Sequence, residues 1–285
     1  MLCKSILENC NLDRELRLFD IGCSYGTLLL QAKDYLERFY KEQKGKEIKV
    51  YAYGCDNSLQ RITLGAGFIK DLIDDGHVKD LANFRTLIFH QNILERVSLE
   101  QIDFIYMYDK AFDPFLLIHC LLIAIKSKDV KWIMTCKKSG WWKKQLRFDF
   151  QDVIKKTNCF KELHKIGNIK MSGSGESDTF IIYQKNHDVN NEFLTSQVKT
   201  REFLRTIGVH DALHDEVITT YFGKGGDNFE VFERHSYSSS VEWNRYYKKL
   251  ADVECLQQRD SKRACQLHNG PVNYSDTRRR KKLKK

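Results

Sequence analysis

Asp20, Gly22, Gly26 and Asp56 are the residues whose types and spacing could hold a ligand. An acid at the end of a short apolar strand, followed by two glycines, lets the chain turn sharply and leaves bare backbone for a ligand to lie against, because a residue without Cβ permits both. Asp20 can accept hydrogen bonds from such a ligand. Asp56, at the tip of the next strand, can hold both ribose hydroxyls of an adenosine. Two other nucleotide sites do not fit. A phosphate loop of the Walker type needs Gly-Lys-Ser/Thr after the turn, and here Gly26 is followed by Thr27-Leu28. A dinucleotide turn, G-x-G-x-x-G, needs a third glycine. What remains is D-x-G-x-x-x-G with an acid at the second strand tip.

The elements that must position these residues alternate along the chain. Apolar and β-rich runs predict strands at Leu16–Phe19, Lys49–Gly54, Thr86–His90, Ile102–Tyr108 and Lys131–Cys136. Helical patterns fall between them, at Thr27–Tyr40, Leu59–Ile73, Phe112–Ile125 and Phe148–Lys156, with Asp113-Pro114 marking the entry of the third. Such alternation means a parallel sheet covered on both faces. Lys161–Lys170 and Thr179–Gln184 are too close in sequence for a helical crossover, so they should close the sheet as an antiparallel hairpin. Residues 1–15 read as a polar lead with one helical turn. After about Lys185 three further helical stretches follow, at Glu192–Thr206, His210–Tyr221 and Val241–Gln266. The glycine loop at Gly223–Gly226 has no strand before it, so it is not read as a phosphate site.

The glycine turn and the strand-tip acid are similar to those of Rossmann-like S-adenosylmethionine-dependent methyltransferases. Ser24 stands where that class usually has another glycine, and serine fits there with a negative φ. The stretches from Phe19, from Tyr53, at His90–Glu95 and from Ile102 together resemble the core of the disruptor-of-telomeric-silencing (Dot-one) family of histone lysine methyltransferases, in its trypanosomatid-like branch. The resemblance covers roughly Leu18 to Gln184, and its most specific signal is Tyr108-Asp109-Lys110-Ala111-Phe112. It implies an α/β fold of seven mostly parallel strands with a closing antiparallel hairpin, and S-adenosylmethionine as cofactor. It further implies that Asp20, Gly22, Cys23, Ser24 and Gly26 form the cofactor turn, that Asp56 holds the ribose, and that Asn92 and Ile93 lie beside the adenine. Asp109 then stands next to the transferred methyl and the incoming lysine, with Tyr108 and Phe112 beside it. The family carries a helical segment and a covering loop before its first strand, whereas here the first strand opens at Leu16.

The chemistry agrees with these residues. Methyl transfer from a sulfonium is an in-line displacement that depends on positioning and desolvation. A lysine must lose its proton before attack, and an apolar aromatic channel lowers its pKa. Tyr106, Tyr108, Phe112 and Trp141 or Trp142 could build such a wall, although alternation along the strand favours a packing role for Tyr106. Asp109, expected to be partly exposed at a strand end, could orient the amine.

The 285 residues suffice for one α/β domain (1–185), a helical extension (186–268) and a disordered basic tail (269–285). Formal net charge is +9, and the last eight residues carry seven positive charges, so the basic character is largely a tail suited to polyanions. The nine cysteines show no metal-ligand spacing beyond an irregular Cys255, Cys265, His268 group, and no metal is expected. They read as reduced thiols of an intracellular protein. No apolar run reaches the ~20 residues of a membrane span, so no membrane partner is expected. The partners implied are histone H3 in the nucleosome as substrate and nucleosomal DNA at the tail, which places the protein in the nucleus, or wherever host chromatin is reached if it is viral. Two rivals remain. One is a nucleic-acid methyltransferase, for which the Asp/Asn-Pro-Pro-Tyr/Phe signature is missing after the fourth strand. The other is a non-catalytic methyltransferase-like protein that binds a partner through its carboxyl-terminal helices.

Overall fold

The computed structural model describes residues 2–10, 12, 15–77, 84–136, 148–170, 177–187, 189, 192–223 and 247. The expectations for Trp141 and Trp142, for most of the helix at 241–266, for Cys255, Cys265 and His268, and for the basic tail lie outside these residues.

Seven strands form one sheet: β1 (Glu15–Ile21), β2 (Lys49–Asp56), β3 (Thr86–His90), β4 (Phe104–Met107), β5 (Trp132–Cys136), β6 (Phe160–Lys170) and β7 (Ser177–Lys185). Their spatial order is β3-β2-β1-β4-β5-β7-β6. The first five are parallel, and β7 runs antiparallel to both β5 and β6. This is the Rossmann-like methyltransferase sheet expected from the strand–helix alternation and the closing hairpin. The order reverses between β1 and β4. In an open α/β sheet the crevice beyond the carboxyl ends of the strands at that reversal is where ligands bind. Here it is flanked by Gly22 after β1 and Tyr108 after β4.

The helices are α1 (Leu2–Asn9), α2 (Thr27–Lys44), α3 (Leu59–Asp74), α4 (Pro114–Lys126), α5 (Phe150–Lys156), α6 (Gln197–Thr206) and α7 (His214–Gly223). The polar lead expected before β1 is instead the two-turn α1. It buries Ile6 and, just beyond its end, Cys10, and it packs on α2 and β6. α4 starts as its sequence dictates, with Pro114 in the first turn and the Asp113 side chain accepting from Leu116 N at 2.7 Å. Its apolar residues face all round, so it is buried nearly throughout. Its far end is closed by Lys185 of β7, whose Nζ donates to the carbonyls of Ala124, Ile125 and Ser127. Burial lowers the pKa of that ammonium to about 8.

The crossover from β3 to β4 contains only a 3-10 turn, Ile93–Glu95, where doubly wound sheets carry a full helix. The extension occupies the space that this leaves. α7 packs against α4 and against the 3-10 turn, with the Tyr221 ring edge-on to His119. Tyr247 reaches the edge strand β3: its hydroxyl donates to Thr86 O at 2.7 Å and its ring meets Phe84 edge-on. A satisfied hydroxyl on an edge carbonyl covers a strand edge that would otherwise be open to pairing. Among the described residues no helix is long and apolar enough to cross a membrane, and no cluster of three metal-ligating side chains occurs.

Candidate active site at the sheet reversal

The turn after β1 is held onto β2 by backbone. Gly22 N and Cys23 N both donate to Cys55 O, at 2.8 and 3.0 Å. Gly22 and Gly26 have φ of +81° and +74°, the left-handed region that a residue without Cβ enters at no cost. Close packing gives both glycines a second purpose beside the expected one. A Cβ on Gly22 would lie 3.1 Å from the Phe112 ring, and one on Gly26 only 2.6 Å from Ile88 Cγ2. The glycines therefore let protein side chains pack closely, with Phe112 against Gly22 and Ile88 against Gly26. Cys23 is buried, and desolvation holds its thiol well above the ordinary range, so it is an inert packing residue.

Ser24 departs from the conformation expected of it. Its φ is +54°, not negative. The strain is held by Asp56, whose Oδ2 accepts from Ser24 N at 3.1 Å. A non-glycine residue in this region costs ~1–2 kcal/mol, more than the ~0.4–1 kcal/mol of unfolded-state entropy that a glycine adds. Ser24→Gly is thus expected to raise stability by ~0.5–1 kcal/mol, read as a higher urea midpoint at unchanged slope. A lower midpoint would mean that the side chain, not the backbone, is what the turn requires.

Asp56 ends β2 as the sequence required. It is nearly fully buried, its Oδ1 accepts from Ser58 N at 2.8 Å, and Arg61 stands 3.6 Å from Oδ2. Each carboxylate oxygen carries two lone pairs, so one on each stays open for a pair of vicinal hydroxyls. Gln91 N donates to Asp56 O, which ties the tip of β3 to the tip of β2. Asn92 and Ile93 follow directly. Asn92 caps the 3-10 turn by accepting from Leu94 N, and Ile93 is buried.

Asp20 is 3% exposed, and among the described residues no hydrogen bond reaches its carboxyl group. Burial, and then the nearby Asp56 carboxylate, push its pKa up to about 8. A buried acid to which no described residue donates, at the reversal of the sheet and beside the glycine turn, is a place for a ligand that brings a cation or a donor.

The far wall of the crevice follows β4. Phe180 of β7 is stacked between Tyr106 and Tyr108, with ring centroids 6.0 and 5.9 Å away. Tyr108 donates to Asp178 Oδ2 at 2.8 Å, and Lys110 Nζ stands 3.0 Å from Asp178 Oδ1. Asp178 and Lys110 were not among the expected site residues. Asp178 lies 70 positions from Tyr108, and only the pairing of β7 with β5 brings it there.

Asp109 is not where the sequence reading put it. It is fully buried, not partly exposed, and its Oδ1 accepts from Cys136 N at 2.7 Å. The 3-10 turn Asp109–Ala111 closes through Phe112 N donating to Asp109 O. That turn points the carboxylate at the end of β5, while Tyr108 stays on the Phe180 face. The structure thus brings Asp20, Asp56, Phe112 and Tyr108 around the crevice and gives Asp109 the task of holding its floor.

No family model matches the chain, and no curated protein matches it either. Solved structures do. One is M. capricolum TrmK in complex with S-adenosyl-homocysteine, at 11% identity over 78% of this chain and 96% of that one, with a TM-score of 0.39. A ribosomal protein L11 methylase from Lactobacillus delbrueckii subsp. bulgaricus is 15% identical over 65% and 78% of the two chains, with a TM-score of 0.38. An S-adenosylmethionine-dependent methyltransferase from Aquifex aeolicus is 12% identical over 65% and 89%, also with a TM-score of 0.38.

Proposed function

We propose that this chain is an S-adenosylmethionine-dependent methyltransferase acting on a lysine side chain of a protein, histone H3 in the nucleosome being the substrate that the Tyr108–Phe112 resemblance implies. The observation that carries the cofactor reading is the buried, unbonded Asp20 carboxyl group beside the Gly22 turn, one strand from Asp56. The two acids divide the ligand: Asp56 accepts from the ribose hydroxyls, and Asp20 meets the α-ammonium of the methionine part. The bound cofactor supplies an electrophilic methyl group on a sulfonium. Everything else is positioning and exclusion of water by this chain's residues.

The far wall supports an amine acceptor. It is aromatic through Tyr106, Phe180 and Tyr108, and it ends in the Asp178 carboxylate. The partly exposed Tyr108 ring and the carboxylate beside it attract a cationic amine, and the buried Tyr106 and Phe180 behind them make surroundings apolar enough to ease the loss of its proton before attack. Lys110 already shows that Asp178 pairs with a lysine ammonium in this setting. The basic run at 278–285 would add affinity for nucleosomal DNA.

Labelled cofactor incubated with the full chain and, in parallel, nucleosomes, free histones and RNA is expected to label a histone lysine. Label in RNA alone would replace the acceptor while leaving the cofactor reading in place. No label in any arm, with no cofactor binding by calorimetry, would remove the reading altogether.

A further inference from the structure

Tyr106 of β4 stands beside Asp20 of β1 in the sheet. Across the β1–β4 ladder it is the direct partner of Asp20, so both side chains leave the sheet on the same face. Its hydroxyl is buried and, among the described residues, has no hydrogen-bond partner. A buried hydroxyl that no described residue satisfies costs free energy until something pairs with it, and here it stands on the strand next to the Asp20 carboxyl group. The ring stacks on Phe180, with centroids 6.0 Å apart.

We propose that Asp20 and Tyr106 form a proton-linked clamp for the cofactor's ammonium: the Asp20 carboxyl group is neutral in the empty site, gives its proton to solvent as the ammonium arrives, and is then held as a carboxylate by the Tyr106 hydroxyl. This rests on the cofactor reading above. The balance is simple. One O–H bond of Asp20 breaks, one proton goes to buffer, and the charge lost is replaced by the ligand's own cation. No covalent step is involved.

Burial and a neighbouring carboxylate favour the neutral form of Asp20 while the site is empty. Desolvation acts first, and the Asp56 carboxylate on β2 adds repulsion. The Cys55 thiol on β2 and the Cys23 thiol in the turn are neutral, their pKa values raised by burial. The Tyr106 phenol on β4 is also raised, by burial and by Asp20. Arg61 stands at Asp56, not at Asp20. A group raised to about 8 is mostly protonated at pH 6.5, and an ammonium set against it favours the carboxylate, so proton release on binding is the expected signature. Tyr106 is a positioning residue here, acting through Asp20.

Calorimetry of S-adenosylmethionine binding at pH 6.5, in buffers of different ionisation enthalpy, counts the protons released. 5′-Methylthioadenosine, which keeps the adenosine and sulfur but has no ammonium, is the control. The expected result is close to one proton released with S-adenosylmethionine and close to none with the control. Asp20→Asn should abolish the release. Tyr106→Phe should lower S-adenosylmethionine affinity by roughly tenfold to a hundredfold, the loss of one hydrogen bond to a charged group, and leave the control's affinity unchanged. Binding of S-adenosylmethionine without proton release overturns the clamp and leaves the cofactor reading standing. Equal losses for both ligands in Tyr106→Phe overturn the part given to Tyr106. If neither ligand binds the wild-type chain, the cofactor reading falls and the clamp with it.

Discussion

Asp56→Ala is expected to weaken S-adenosylmethionine binding by ~1.5–3 kcal/mol, roughly tenfold to a hundredfold in Kd. The effect has two sources. The variant removes the acceptors for the ribose hydroxyls, and it also releases Ser24 N and Ser58 N, which Asp56 holds on either side of the cleft. With Ser24 at φ +54°, the turn has reason to relax once that hold is gone. Asp56→Asn is no gentle substitute. Its amide nitrogen would face one of two backbone N–H donors, so one of the two bonds becomes a repulsion. Because the ribose is common to both ligands, 5′-methylthioadenosine should lose as much affinity as S-adenosylmethionine in either variant. Calorimetry with both ligands, beside urea unfolding of the same samples, separates ribose contact from loosened turn. Unchanged affinity for both ligands would take Asp56 out of the site.

The parts of this site that could be read from sequence are those set by local periodicity. β1, the glycine turn and the start of α2 form one continuous stretch, and Asp56 follows β2 without a break, so pattern alone placed Asp20, Gly22, Gly26 and Asp56 at strand tips. Parallel order then brought the tips together. What could not be read depends on contacts between distant segments or on a single backbone angle. Phe112 against Gly22, Ile88 against Gly26 and Asp178 against Tyr108 are all long-range. Ser24 adopts a positive φ because Asp56 outweighs its local preference. The filling of the sheet face by α7 follows from the brevity of the β3–β4 crossover, and a helical pattern near the carboxyl end does not say which gap it will fill. For a related reason Asp109 is buried where partial exposure is expected. Strand alternation ends at Met107, and the 3-10 turn after it reverses which side a residue faces.

Asp109→Ala is expected to cost ~1–3 kcal/mol of folding stability, the price of leaving the buried Cys136 N–H without its acceptor. Asp109→Asn keeps a carbonyl oxygen of the same reach, so it should stay within ~1 kcal/mol of wild type. A residue whose task was to orient the incoming amine would behave in the opposite way. Its alanine variant would unfold at the wild-type urea concentration and yet transfer no methyl group. The buried geometry also says how activity should respond. Cys136 ends β5, and Asp109 joins that end to the turn carrying Tyr108 and Phe112, so loosening it displaces the aromatic wall and leaves the Asp20 and Asp56 side intact. Cofactor affinity of folded Asp109→Ala should therefore stay near wild type while single-turnover transfer slows, and Asp109→Asn should restore both stability and rate. Urea unfolding and single-turnover transfer on the same three proteins decide between the two roles. Wild-type stability combined with abolished transfer in Asp109→Ala would return Asp109 to the acceptor site.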